Sequence, residues 1–145
     1  TLVTADATLN GSASWGGDAF AYALAAFDDG GFAMSFGPIT VEATAINNAS
    51  NASGATASAY LYVTDNNGSL TINGPVNVSA YAEQNAPTSG SGEAYAYASA
   101  DLYAWSNITV DGAVTVEATA INNVDDASDA TESAYLYADA VTADL

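Results

Sequence analysis

Apolar and polar residues alternate along several segments of this 145-residue chain. In the segment 39–45 the odd positions hold Ile, Val and Ala, and the even positions hold Thr and Glu. The segment 94–103 alternates in the same way, with Ala and Leu on one side and Tyr, Ser and Asp on the other. A period of two places successive side chains on opposite faces of a β-strand. Because Tyr, Thr and Val are also frequent, both segments are predicted to be strands rather than helices.

Shorter strand-like segments and polar loops lie between these strands. The segments 69–72 and 107–110 read as short strands, and each is followed by a turn dipeptide, Asn73-Gly74 and Asp111-Gly112. Spacers rich in Asn, Ser, Gly and Asp occupy 47–54, 84–92 and 122–129. Each unit is therefore predicted to run strand, polar loop, strand, turn, short strand, turn.

The units repeat along the chain. A Val-x-Ala-x-Ala motif recurs in steps of 38, 37 and 38 residues, and its valines are predicted core anchors: Val3, Val41, Val78 and Val116. A tyrosine that follows an alanine comes 19 residues after each anchor, at Tyr22, Tyr60, Tyr97 and Tyr135. Internal repetition at this period indicates stacked supersecondary units that bury their apolar faces against their neighbours.

The repeat predicts an all-β fold in one repeat domain, residues 1–145, with repeats at approximately 1–36, 37–73, 74–111 and 112–145. The first architecture is a β-solenoid of about four 37–38-residue rungs, in which equivalent strands stack in register. The alternative is an antiparallel β-sandwich completed by a strand from a neighbouring subunit.

The placement of charge favours stacking over the sandwich. Three predicted columns keep carboxylates out of adjacent rungs: Thr4-Glu42-Ser79-Glu117, Asp18-Thr56-Glu93-Thr131 and Asp6-Thr44-Tyr81-Thr119. Like charges about 4.8 Å apart repel more strongly than like charges at twice that distance. One exception is expected, since Asp101 and Asp139 fall in neighbouring rungs. The four repeat tyrosines are expected to form a further column, a stacking ladder.

The composition limits the possible functions. The chain has 17 Asp and Glu residues, no Lys, Arg or His, no Cys, and a net charge of −17. Nucleic acids and anionic membranes are therefore poor partners, and most catalytic groups are missing. We expect no enzyme activity. No segment approaches the ~20 apolar residues of a membrane span, and a start at Thr1 suggests a processed, secreted product.

Two kinds of candidate site remain. Asp125, Asp126 and Asp129 lie in one polar loop and are a weak Ca²⁺ candidate, against the simpler interpretation of a solvated acidic loop. Otherwise no cofactor is expected. Six Asn-x-Ser/Thr sequons are possible glycosylation sites, at Asn10, Asn48, Asn51, Asn67, Asn77 and Asn107.

The ends of the repeat pattern bear on assembly. If the fourth rung of one subunit docks on the first rung of the next, no like charges are expected to meet, because Glu117 faces Thr4, Thr131 faces Asp18 and Thr119 faces Asp6. Strand edges without protective caps pair readily with other chains. The pattern therefore predicts head-to-tail polymerisation with copies of the same chain, with glycans or neighbouring filaments as further candidate partners.

The segment 69–80, Ser-Leu-Thr-Ile-Asn-Gly-Pro-Val-Asn-Val-Ser-Ala, resembles the rungs of secreted bacterial β-solenoid adhesins of the filamentous-haemagglutinin and autotransporter type. The repeat length is similar to that of functional amyloids of the curli and Fap kind, but the regular Gln and Asn ladder positions of those families are not evident. The resemblance implies an extracellular or cell-surface structural protein, such as a biofilm-matrix fibre. The alternative it leaves open is a surface adhesin or glycan-binding fragment of a longer β-repeat array.

Overall fold

A computed structural model describes residues 1–10, 17–28, 30–49, 54–85, 92–124 and 129–144, and the regular elements in these ranges are all β-strands. The strands are β1 (Leu2–Leu9), β2 (Asp18–Asp28), β3 (Ala33–Phe36), β4 (Ile39–Asn47), β5 (Gly54–Asp65), β6 (Ser69–Asn73), β7 (Val76–Gln84), β8 (Glu93–Asp111), β9 (Val114–Asn122) and β10 (Asp129–Asp144).

The strands form two sheets of stacked, parallel rungs. The first sheet has the order β1-β4-β7-β9, one strand from each repeat. The second sheet contains β2, β5, β8 and β10, with β6 and β3 paired alongside the end of β8. Every strand pair among the described residues is parallel. The predicted β-solenoid is therefore confirmed, and the antiparallel β-sandwich is not the fold.

The register of the first sheet follows the sequence repeat. The anchor valines are direct neighbours in the order Val3, Val41, Val78, Val116. Two predicted columns, Thr4-Glu42-Ser79-Glu117 and Asp6-Thr44-Tyr81-Thr119, occur as expected. In this sheet the carboxylates of these columns are kept out of adjacent rungs, which limits their repulsion.

The register of the second sheet departs from the sequence repeat. The connections that lead into β2, β5, β8 and β10 contain eight, six, eight and six residues. Each alternation moves the following strand by two residues, so the inward and outward faces are kept while the partners change. Tyr22 and Tyr97 therefore both lie opposite Ser58, and Tyr60 lies opposite Ser99.

This shift makes two of the predicted charge neighbours wrong. The predicted column Asp18-Thr56-Glu93-Thr131 is replaced by Asp18-Gly54-Glu93-Asp129, so Glu93 and Asp129 are direct neighbours. Asp101 and Asp139, predicted to be adjacent, lie opposite Tyr137 and Tyr103. The carboxylates of the second sheet are therefore not kept apart in the way that the repeat alone predicts.

The interior combines small and branched side chains. Alanines from the second sheet, such as Ala57, Ala59 and Ala98, are fully buried with Val41 and Ile39 of the first sheet in one cluster. Leu70, Ile72, Ile108 and Val110 complete the same core where the short third strands lie. Small alanines let the two sheets approach closely, and burial of apolar area supplies the main drive for stacking.

The turns between rungs depend on glycine. Gly74 and Gly112 have φ values of 123° and 141°, which only glycine adopts readily, and they lie in the predicted turns, after β6 and after the end of β8. The predicted strand at 107–110 is not separate, because β8 runs without interruption from Glu93 to Asp111. β10 follows the same path but shifts its register between Asp139 and Val141.

The close contact at Gly54 yields a test of the stacking. A Cβ at Gly54 would lie 2.6 Å from the carbonyl oxygen of Glu93 in the next rung, so Gly54→Ala must displace backbone. We expect a loss of about 1–3 kcal/mol in the free energy of unfolding, measured by urea titration. Gly37→Ala is the control, because a Cβ there meets nothing within 4 Å. Equal effects of the two substitutions would contradict the predicted tight approach of the strands.

Candidate functional site

A column of asparagine side chains runs up one corner of the solenoid. Asn48 Nδ2 donates to Asn10 Oδ1 at 3.0 Å, Asn85 Nδ2 to Asn48 Oδ1 at 3.0 Å, and Asn123 Nδ2 to Asn85 Oδ1 at 2.7 Å. All four side chains are exposed, directly after the strands of the first sheet. Each rung is therefore joined to the previous rung by a side-chain hydrogen bond in addition to the backbone bonds. We call these four residues the asparagine ladder.

The asparagine ladder corrects the sequence interpretation. That interpretation finds no regular Asn positions, yet the four residues recur in the repeat spacing, seven residues after each anchor valine. The signal is present in the sequence but is hidden by the abundance of Asn in the same loops. Stacked amides of this kind accompany the parallel strands of cross-β assemblies.

The hydrogen bonds of the ladder all point in one direction. Each amide nitrogen donates toward the first rung, and each amide oxygen accepts from the side of the fourth rung. Within the described residues the ladder consequently ends in the Asn10 amide nitrogen at one end and in Asn123 Oδ1 at the other. A donor at one end and an acceptor at the other make the two ends of the solenoid chemically complementary.

A second set of asparagines holds the corner between the sheets. Asn47 Nδ2 donates to the carbonyl of Gly54 at 2.6 Å, and Asn47 Oδ1 accepts from the Ala49 N–H at 3.1 Å. Two rungs later Asn122 Nδ2 donates to the carbonyls of Gly92 and Asp129. These side chains therefore satisfy backbone groups at the bend where the chain passes from one sheet to the other.

The four repeat tyrosines form a second column, on the outward side of the second sheet. The ring centroids of Tyr22 and Tyr60 are 5.2 Å apart, those of Tyr60 and Tyr97 5.2 Å, and those of Tyr97 and Tyr135 5.5 Å. The rings come from diagonal rather than directly opposed positions, because the opposed positions hold serine, except for Leu24 opposite Tyr60. The small serine side chains leave room for the rings of the neighbouring rungs.

Further aromatic rings extend this column into a broad surface. Tyr62 lies parallel to Tyr60, with 6.3 Å between the ring centroids and 7° between the planes. We call the outward side of this sheet the tyrosine face; it comprises Phe20, Tyr22, Tyr60, Tyr62, Tyr95, Tyr97, Tyr135 and Tyr137. Phe20 is 59% exposed and Tyr137 54%. Contiguous exposed aromatic area of this kind marks an interaction surface more often than a plain solvent face.

The surroundings of the tyrosine hydroxyls raise the pKa values of three of them. Burial raises the pKa of Tyr60. The hydrogen bond with Ser58 lowers this pKa, and the nearby hydroxyls of Tyr97 and Tyr22 raise it further. Burial also raises the pKa of Tyr62, with a further contribution from the negative charge of Asp101. In the first sheet the hydroxyl of Tyr81 donates to Glu83 Oε2 at 2.7 Å, and this bond raises the pKa of Tyr81.

The outer surface of the fourth rung exposes residues that are buried elsewhere. Leu136 lies in the same column as Leu61 and Ala100, but it is 52% exposed while both of them are fully buried. Ala134 and Ala138 in β10 are likewise exposed. The inward row of the last described rung is therefore the open end of the apolar core, interrupted by Glu132, which lies opposite the buried Ala96.

The weak Ca²⁺ candidate is only partly placed. Asp125 and Asp126 lie outside the described residues, whereas Asp129 begins β10 opposite Glu93. Within the described ranges no three acidic side chains converge on a point that could hold a metal ion. An open groove of about 360 Å³ runs over Ser79 between Glu42 and Glu117, and both of these carboxylates belong to the first sheet.

The sequons fall in different settings. Asn10 and Asn48 belong to the asparagine ladder, and a glycan on Asn48 Nδ2 would interfere with its bond to Asn10. Asn67 has a φ of 66° in the turn before β6. Asn77 and Asn107 lie on strands, the first partly exposed and the second exposed, and Asn51 lies outside the described residues.

Comparisons with known proteins do not assign the chain to a family. No family model, curated protein or solved structure matches the chain. Among the described elements there is no helix long and apolar enough to cross a membrane. The functional argument therefore rests on the asparagine ladder, the column of repeat tyrosines, the tyrosine face and the exposed rung ends.

The crowded tyrosines predict an alkaline transition. A raised pKa means that the folded state holds its phenol protons more tightly than the unfolded chain, whose tyrosines titrate near 10.0. The associated stability is fully present below pH 10.0 and is lost as pH rises through the raised values. Thermal melting followed at increasing alkaline pH should show this loss, and tyrosinate absorbance should report late ionisation.

The control for the alkaline transition is a Tyr60→Phe, Tyr62→Phe double variant. These substitutions keep the rings but remove the two hydroxyl groups with raised pKa values, so the alkaline loss of stability should become smaller. An unchanged loss would show that these two tyrosines are not its source.

Proposed function

We propose that this protein is a structural subunit of an extracellular filament that assembles head-to-tail by stacking of its rungs. The observation that carries the proposal is the direction of the asparagine ladder. Its donor end at Asn10 and its acceptor end at Asn123 would meet in a head-to-tail junction and extend the ladder without interruption. A head-to-head or tail-to-tail junction would place two donors or two acceptors together.

The alternation of the loops supports the same arrangement. A first rung docked on a fourth rung would repeat the step from the second rung to the third, from a six-residue to an eight-residue connection. Tyr135 would then approach Tyr22 of the next copy as Tyr60 approaches Tyr97, at a centroid distance of 5.2 Å within the chain. Four rungs contain two full alternations, so each added copy would continue both columns.

Burial supplies the attraction at such a junction. Leu136 and the exposed alanines of β10 would be covered by β2 of the next copy, in the way that β8 covers β5, whereas Glu132 of the same row would lie opposite Ala21 and oppose docking. The free strand edges of β9 and β10 would also gain parallel backbone partners. Edges of this kind favour pairing unless charge or shape prevents it.

Charge opposes this junction, contrary to the expectation from the repeat. In the shifted register Asp129 would lie opposite Asp18 of the next copy, instead of Thr131 opposite Asp18, and Asp139 would lie opposite Asp28. The first sheet would still pair Glu117 with Thr4 and Thr119 with Asp6. Two pairs of like charges would therefore form at each junction in the second sheet.

The proposed setting follows from composition and resemblance. A net charge of −17 with no cationic side chain argues against nucleic acids and anionic membranes as partners. The resemblance to secreted bacterial β-solenoid proteins supports an extracellular or cell-surface location and a role in a fibre or matrix. We propose no enzymatic activity, since the carboxylates are not joined by any histidine, cysteine, lysine or arginine.

Asn10→Asp tests the junction without breaking the monomer. The substituted carboxylate would keep the oxygen that accepts from Asn48, but it would lack the amide nitrogen that is proposed to donate to Asn123 of the neighbouring copy. We expect filaments of the unaltered chain by electron microscopy and at least a tenfold higher critical concentration for Asn10→Asp. A tenfold change corresponds to about 1.4 kcal/mol per junction, within reach of one hydrogen bond.

Asn123→Asp is the matched control for this variant. It removes the donor to Asn85 within the chain but keeps the acceptor at the proposed junction. It should therefore lower the unfolding free energy of the monomer more than Asn10→Asp does, and should affect assembly less. A chain that stays monomeric at every pH tested would refute the filament, and equal assembly of both variants would refute the role of the ladder.

Acid should promote assembly. Docking brings Asp129 and Asp139 against carboxylates of the next copy, so the docked state binds more protons than the free subunits. The critical concentration should therefore fall as pH is lowered from neutral toward about 4. Sedimentation at a series of pH values measures this change.

A double variant, Asp129→Asn with Asp139→Asn, should assemble at a higher pH than the unaltered chain. Asp6→Asn is the control, because Asp6 would face Thr119 and not a carboxylate. Filaments that dissolve on acidification would contradict the predicted direction of the pH dependence.

A further inference from the structure

We propose that the tyrosine face binds a basic polypeptide, with an arginine or lysine side chain held between Tyr62, Asp101 and Tyr137. These three residues are direct neighbours in one outward column, in three successive rungs. The two tyrosines are 40% and 54% exposed, and Asp101 is partly exposed between them. The column thus presents a carboxylate flanked on both sides by aromatic rings.

This arrangement matches the chemistry of an organic cation. Ammonium and guanidinium groups are attracted to the faces of aromatic rings, and guanidinium also forms paired hydrogen bonds with a carboxylate. The negative charge of Asp101 already acts on the ring hydroxyl of Tyr62 and contributes to raising its pKa. Tyr60 lies parallel to Tyr62 and extends the aromatic surface along the strand.

The rest of the tyrosine face suits a chain of cations better than a single one. At one margin the outward column Asp18-Gly54-Glu93-Asp129 contains three carboxylates, and at the other margin Asp28 and Asp139 lie at the two ends of the column Asp28-Thr64-Tyr103-Asp139. Between these margins the aromatic residues share the outward side with small or short side chains, mostly Ser and Thr. An extended basic segment could therefore place its apolar stems on the rings and its charged ends at the carboxylates.

Charge complementarity selects the class of partner. The chain has a net charge of −17 and no Lys, Arg or His, so a second copy cannot provide the cation and would repel this face. Nucleic acids are excluded by the same charge. A neutral polysaccharide could contact the rings but would make no use of the carboxylates, so the basic polypeptide is the occupant that matches both features.

An oligoarginine peptide is the probe for this face. Binding is measured by fluorescence anisotropy of the labelled peptide in an Asn10→Asp background, so that filament formation does not contribute. Saturable binding that weakens with added salt is expected. Asp101→Asn should weaken binding about fivefold, and Tyr62→Ser by a similar factor. Circular dichroism verifies that each variant remains folded; Asp101→Asn is nearly isosteric, and it tests the site even if Tyr62→Ser unfolds.

Glu117→Gln is the matched control, since it removes one carboxylate from the outward side of the other sheet. It should leave binding within about twofold of the unaltered chain, because an exposed charge far from the peptide is screened. Equal loss with Glu117→Gln and Asp101→Asn would overturn the site in favour of diffuse attraction. Undetectable binding of oligoarginine, or stronger binding of a neutral β-linked glucose oligosaccharide, would overturn the proposal as well. None of these results bears on the filament, because the assembly experiments are made without the peptide.

Discussion

The whole structure depends on the in-register stacking of parallel rungs. Each middle rung has its backbone groups paired above and below, and its inward side chains are covered on both sides by equivalent residues. A single rung could not bury its apolar row, so stability arises at the interfaces between rungs. The open outer row at Leu136 is the direct consequence, because the same column is fully buried one rung earlier.

The lengths of the loops determine which residues lie opposite each other in the second sheet. The connections of eight and six residues shift alternate strands of the second sheet by two positions. A shift of two keeps alanine inside and tyrosine outside, whereas a shift of one would have exchanged them. The shift also places serine opposite tyrosine, and this lets rings from successive rungs approach within 5.2 to 5.5 Å without a direct clash.

The first sheet could be predicted from the sequence because its strands carry the anchor motif and the valines define the register directly. The second sheet could not be predicted in the same way. The spacing from valine to tyrosine is 19 residues in every repeat, but the loop is two residues shorter in alternate repeats and the tyrosine lies two residues further along the strand. The pairs Glu93 with Asp129 and Asp101 with Tyr137 follow from that change. The asparagine ladder was predictable in principle from its spacing, but the direction of its hydrogen bonds appears only once side chains are placed.

The absence of cationic side chains has different consequences on the two sheets. On the first sheet Glu42 and Glu117 are separated by Ser79, so their repulsion is limited by distance and screening. On the second sheet Glu93 meets Asp129 with no counter-charge from the chain itself. That repulsion must be offset by burial of the alanine row beneath it and by stacking of the rings beside it. The second sheet is therefore the one whose carboxylates gain most from cations supplied by another molecule.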